Sequence, residues 1–143
     1  MAKIFLKFDP PIEGGSQAAG FEKQIVVESF SWGETFDKNA VNQDFHFAAI
    51  TDRQSPKLLQ ACAEGTHFNS AELNMVNELG QAFYTLKLGD VNISSYAVGA
   101  SEAAGKPNDQ ATLRFRTIQN EFRAQKPDGS LDAPVVGGFD FGK

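Results

Sequence analysis

The stretch SPKLLQACAEGTHF, Ser55–Phe68, is where the chain abandons an every-second-residue apolar pattern. Ser55 reads as a helix N-cap, Pro56 suits the first helical position, Leu58, Leu59 and Cys62 share a face, and Gly65 is a C-terminal stop. The spacing predicts one short helix of about ten residues, Ser55 to Glu64, covering a β structure. The same stretch holds the single cysteine and one of two histidines, so a Cys62 nucleophile with a His67 base has to be weighed. His67 lies beyond Gly65, where the helix ends, and no third group is in evidence to orient its ring. Cys62 therefore reads as a small apolar residue on the helix face, and His67 as the start of the next strand.

Outward from the helix, the period is that of strands. KIFLKF opens the chain, and the loop DPPIEGGSQAAG, Asp9–Gly20, follows. FEKQIVVESFSWGE, Phe21–Glu34, is the longest strand candidate; at its end Phe30 and Trp32 alternate with Ser29 and Ser31, giving one greasy face and one small polar face. QDFHFAAIT repeats the pattern with Phe45 and Phe47 against Asp44 and His46. After the helix come SAELNMVN, FYTLKL and, entered through Gly89-Asp90, VNISSYAV; a loop GASEAAGKPNDQ leads to TLRFRTIQNEF. There Leu113 and Phe115 hold one parity, Ile118 and Phe122 the other, so the register must flip near Thr117, most cheaply by a bulge. KPDG is a turn and GGFDFGK closes with a short strand. Roughly eight or nine strands around one helix predict a mostly β fold, a closed or nearly closed β-barrel, or a sandwich, of two packed sheets with one short flanking α-helix.

Composition agrees. The 143 residues suit a single domain, and thirteen Phe with thirteen Gly favour packed sheets and tight turns over a helical bundle. Thirteen basic against eighteen acidic residues leave a formal charge of −5, the wrong sign for phosphate neutralisation, so nucleic acid is excluded as a partner. The early apolar run IFL is broken by Lys7, far short of a signal-peptide core or membrane span, which predicts a cytoplasmic start and no membrane partner. One cysteine forms no internal disulfide and offers no metal-ligand spacing.

The chemical motifs fail individually. GASEAAGKP, Gly99–Pro107, has the glycines and Lys106 of a phosphate loop at the wrong spacing, with Pro107 where a hydroxyl must meet magnesium. Its Gly99–Ala103 part lacks the last glycine of a hydrolase elbow. Asn92 in NIS sits inside a strand. His46 has no second histidine nearby and reads as a solvated strand residue, since a metal site needs three or four ligands. Arg114 and Arg116 suit a charged outer face or an ion pair between subunits. No catalytic residue, cofactor-binding residue or metal ligand is assigned, and the chain is expected not to be an enzyme.

SFSWGE (Ser29–Glu34), TDRQSPKLLQACAEGTHF (Thr51–Phe68), LKLGDVNISSY (Leu86–Tyr96) and KPDGS (Lys126–Ser130), in this order and spacing, resemble the Hcp family, the tube protein of bacterial type VI secretion. The resemblance runs nearly end to end and implies one Hcp-like β-barrel domain over residues 1–143. It further implies hexameric rings that stack into a hollow tube, partners in a contractile sheath, a spike and effector proteins, and export to the extracellular space or a target cell. It places Ser31, and with it Ser29, on the lumen, facing effectors. Two departures stand out: EGGS, Glu13–Ser16, replaces the usual GES. DKNAVNQD, Asp37–Asp44, is also shorter than the extended loop with which many members grip the adjacent ring. A phage tail tube-like protein, a small-ligand-binding β-barrel and a Cys62 hydrolase are the competing readings. Thirteen Phe argue against an empty barrel, because a barrel of this size is normally filled by its own side chains.

Overall fold

The computed structural model describes residues 3–37, 39–42, 44–103 and 105–141. Along these, alternating apolar residues form β1 (Lys3–Asp9), β2 (Ile25–Ser31), β3 (Glu34–Asp37), β4 (Asn39–Asn42) and β5 (Phe45–Ile50). The helix α1 (Ser55–Glu64) follows, then β6 (His67–Val76), β7 (Ala82–Gly99), β8 (Asn108–Arg114), β9 (Thr117–Phe122) and β10 (Val135–Asp140). Six strands close a ring in the order β7, β6, β1, β2, β5, β8 and back to β7, with β9 and β10 outside it. The expected barrel with one short helix is therefore present.

Closure depends on β7, which at eighteen residues is the longest strand. Its second half, Asn92–Gly99, pairs with β8, and its first half, Tyr84–Gly89, pairs with β9. Because β8 goes on to pair with β5 while β9 pairs with β10, one long hairpin divides between the ring and an outer flap. The division falls at Asp90, whose φ of 52° is left-handed, and at the interruption Phe115–Arg116. Arg116 N–H donates to the Gly89 carbonyl at 2.9 Å, and Thr117 Oγ1 occupies the space a Cβ on residue 89 would need, so any larger residue there would force the Thr117 side chain to move.

Several boundaries differ from expectation. FYTLKL and VNISSYAV are one strand, since the β8–β9 run supplies partners along both halves. Phe21–Gln24 does not extend β2; the Phe21 ring instead stacks on Phe5 at 4.8 Å, outside the barrel core. The register flip expected near Thr117 is a break between two strands, Leu113 and Phe115 being buried before it and Ile118 after it. Phe122 is half exposed although it shares the parity of Ile118. The segment 37–44 includes Lys38 and Gln43, which lie outside the described residues; around them β3 and β4 pair as a separate two-stranded ribbon.

The interior is filled by a single cluster to which all six strands of the ring contribute, including Leu6, Phe8, Ile25, Phe45, Phe47, Leu73, Leu86, Val91 and Leu113. Each fully buried residue of this size contributes about 1.5–3 kcal/mol of transfer free energy, so the cluster outweighs any surface contact in holding the barrel. Helix α1 adds Leu58 and Ala61 to it. Leu59 departs from the predicted face and is 56% exposed, because one residue along a helix turns the side chain about 100° away. Cys62 is half buried against the same cluster.

The helix start also differs. Gln54, not Ser55, is the capping residue, and its side chain makes no capping bond. Ser55 Oγ accepts from Asp52 N–H at 3.1 Å and donates to the fully buried Asp109 carboxylate at 2.5 Å. Thr51 Oγ1 and Tyr96 OH, each at 2.9 Å, and Gln54 Nε2 at 3.2 Å also donate to Asp109. A carboxylate without a countercharge is tolerable in a core only with such a set of donors. The helix ends at Gly65, φ 67°, where Thr66 N–H bonds the Ala61 carbonyl at 3.0 Å.

Candidate functional site

Two β-bulges create the most distinctive surface of the barrel. On β2, Ile25 and Val27 point inward, so Ser29 and Ser31, of the same parity, would follow them into the core. The register instead shifts between Val27 and Ser29, inserting Glu28. Phe30 then packs on the core and both serines turn out. β7 repeats the device: Val91 and Ile93 are buried, the register shifts between Ile93 and Ser95, and beyond it Tyr96 turns in while Ser95 and Ala97 face out.

The ladders then align the outward residues in two rows across four strands. One row is Ser31, His46, Thr112, Ser95, taken from β2, β5, β8 and β7 in that order. The next is Ser29, Ala48, Gln110, Ala97. Together they line a shallow depression of about 430 Å³. None of the eight carries a fixed charge in a chain whose formal charge is −5. His46 is the only titratable member, with Nδ1 2.9 Å from Thr112 Oγ1. Such a face offers weak, reversible, uncharged hydrogen bonds, which suit transient contact more than tight binding.

Ser29 and Ser31 thus lie together on one exposed face. His46, Thr112, Ser95 and Gln110 extend that face and were missed as a set. Their signal is in the sequence: apolar parity switches from Ile25 and Val27 to Phe30, and from Val91 and Ile93 to Tyr96, which requires an inserted residue in each strand.

Elsewhere the chemistry disperses. His67 begins β6, and its Nε2 sits 3.1 Å from Asp90, so the imidazole is engaged by a carboxylate and not by Cys62. Arg116 donates to the same carboxylate at 2.5 Å and reaches Asp140 at 3.5 Å. The bond from Arg116, and then that from His67, hold the Asp90 carboxyl below the usual carboxylate range. Arg114 lies 4.0 Å from Asp44. Both arginines therefore find partners within the chain, where a partner across subunits had been one expectation. Asn92 lies within β7, paired with His67 and Arg114. Among the described residues no three His, Cys, Asp or Glu side chains are placed to hold a metal ion. No helix among them is long and apolar enough to cross a membrane.

Against known proteins, the family described as "Type VI secretion system effector, Hcp" matches residues 5–122. The protein hcp1 of Pseudomonas aeruginosa is 30% identical over 97 residues, 66% of this chain and 60% of that relative. The match thus spans less than two thirds of the relative's length. A crystal structure of a type VI secretion system effector from Yersinia pestis superposes with a TM-score of 0.83 at 26% identity, covering 96% of this chain and 98% of that one. Hcp1 from Salmonella typhimurium has the same fold, with a TM-score of 0.85 at 23% identity over 98% and 95% of the two chains. With the family match reaching all six strands of the ring and spanning the bulged β2 and β7 within it, this chain belongs to the Hcp family of the type VI secretion system.

Proposed function

We propose that the chain is a structural subunit of the type VI secretion inner tube, without enzymatic activity. Copies form hexameric rings that stack into a hollow tube, and the Ser29/Ser31 face lines the lumen and carries effector proteins. A contractile sheath and a tip spike are the surrounding partners, and the tube is exported with its cargo.

The observation that carries this reading is β10. It ends the order of sheet strands, so its outer margin has no strand against it among the described residues. On it Val135, Val136 and Phe139 are 74%, 52% and 53% exposed. An open apolar edge invites pairing with another chain, and a head-to-tail contact that closes after a fixed rotation converts that liability into a ring. The β3–β4 ribbon stands apart from the sheet of the ring and is the element available to touch a neighbouring ring. Its shortness favours weaker stacking than ring formation.

Light scattering of the purified protein is expected to report a particle of about six times the monomer mass, and negative-stain images an annulus. Charging the edge with Val136→Asp and Phe139→Asp is expected to yield folded monomer. A native protein that stays monomeric at high concentration sinks the proposal.

A further inference from the structure

We propose that Phe115, Arg116 and Phe141 form a latch that holds β10 in place, and that its release detaches β10 as a unit while the barrel stays folded, so that the latch, and not the barrel, gates assembly. This deepens the reading of β10 as the margin through which copies pair, and rests on it.

β10 is the strand least held by the fold. It pairs with β9 alone, and none of its six residues is buried. The core draws Ile118 from β9 and Phe115 from the break before it, but nothing from β10. A strand with one ladder and no buried side chain opens locally at far lower cost than the barrel does. What fixes it lies at its end. Asp140 and Phe141 come back to the break between β8 and β9, where Phe141 N–H donates to the Arg116 carbonyl at 2.8 Å. The Phe141 ring meets Phe115 edge-on with centroids 6.2 Å apart, and Phe139 at 4.8 Å, so it ties β10 to a core residue that is 6% exposed. Arg116 adds the second tie. Its guanidinium donates to Asp90, in the left-handed bend of β7, at 2.5 Å and to Asp140, in β10, at 3.5 Å. One side chain thus joins the bend that divides β7 between barrel and flap to the last residue of the flap.

The apolar margin consists of Val135, Val136 and Phe139, all of them on β10. It therefore exists as a surface only while β10 is docked. Undocked, the strand has to be ordered again at each encounter, and the apparent affinity between copies falls by the fraction of chains that are latched. A closed ring repeats that factor at every contact.

The test is hydrogen–deuterium exchange of the full-length protein, read by mass spectrometry over β10 and, as reference, over β1, β2 and β5, together with light scattering. A Val136→Lys background separates the latch from protection by a neighbouring copy, because a lysine on the margin, opposite Glu121, blocks pairing without placing like charges across the ladder. There, Phe141→Ala is expected to speed exchange in β10 about ten-fold and Arg116→Gln about three-fold, with β1, β2 and β5 unchanged. His67→Gln, which leaves both Arg116 bonds in place, should change neither. Without the Val136→Lys change, Phe141→Ala should turn rings into folded monomers. Exchange in β10 that is unchanged, or that rises equally in β10 and the barrel strands, overturns the latch; rings that persist while β10 exchanges fast overturn its control of assembly. The two levels fail separately. Native rings with unaltered β10 exchange in Phe141→Ala remove the latch and leave the ring reading standing. A native protein that is monomeric, with β10 freed by Phe141→Ala, overturns the ring reading and with it the control of assembly, while the latch itself holds.

Discussion

The Ser55 hydroxyl donates a 2.5 Å hydrogen bond to Asp109, a carboxylate with no exposed surface that sits 54 residues away in sequence. With Thr51, Gln54 and Tyr96 it ties the start of α1, the end of β5, and strands β7 and β8 to one point. Asp109→Ala strands four donors around an apolar methyl. It is expected to cost about 2–4 kcal/mol in urea denaturation, and Asp109→Asn less, since the amide oxygen still accepts. A loss below ~0.5 kcal/mol for Asp109→Ala would show that water replaces the carboxylate freely.

Tyr96 reports the same point at alkaline pH. Burial, and then its bond to Asp109, pushes its phenol up to about 12 from the ordinary 10.0. A raised folded-state value means the neutral form is the one the fold favours; its contribution is complete below about pH 10 and is lost as pH rises through about 12. Phenolate absorbance should therefore show a late-titrating group that Tyr96→Phe removes. A Tyr96 that ionises with free tyrosine would refute the assignment.

The β2 bulge makes a sharper claim. Deleting Glu28 restores simple alternation, which would drive Ser29 and Ser31 inward and Phe30 out, so the variant is expected not to fold. Glu28→Ala keeps the chain length and should lie within about 0.5 kcal/mol of the native protein. Circular dichroism of the pair decides it: equal stability would mean the bulge can migrate along the strand.

On the helix, adjacent leucines should behave oppositely. Leu58 is fully buried, and Leu58→Ala is expected to cost about 2–5 kcal/mol through lost transfer energy and a cavity. Leu59→Ala, at a 56% exposed position, should cost under ~0.5 kcal/mol. Thermal melts of the two variants would expose any error in the helix face.

Much of this architecture was legible because its causes are local. Phe45 and Phe47 alternate with His46, and a strand's pleat alone then sends them to opposite faces. Pro56 and Gly65 bracket α1 through the dihedral angles those residues prefer. The parity change between Phe115 and Ile118 required a register break before any partner strand was known.

What the linear pattern leaves open is whatever depends on a partner distant in the chain. Asp109 reads as one more polar residue of the loop GASEAAGKPNDQ; the structure places it in β8, and only the barrel brings four donors to it. Gly89-Asp90 reads as a turn, yet the β8–β9 run alongside keeps β7 continuous through it. Ser31, His46, Thr112 and Ser95 come from four separate strands, and they become one row only when the ladders fix their registers. Periodicity acts over a few residues and determined the elements; hydrogen-bond register acts between elements, and the closed ring alone decided which side chains share a face.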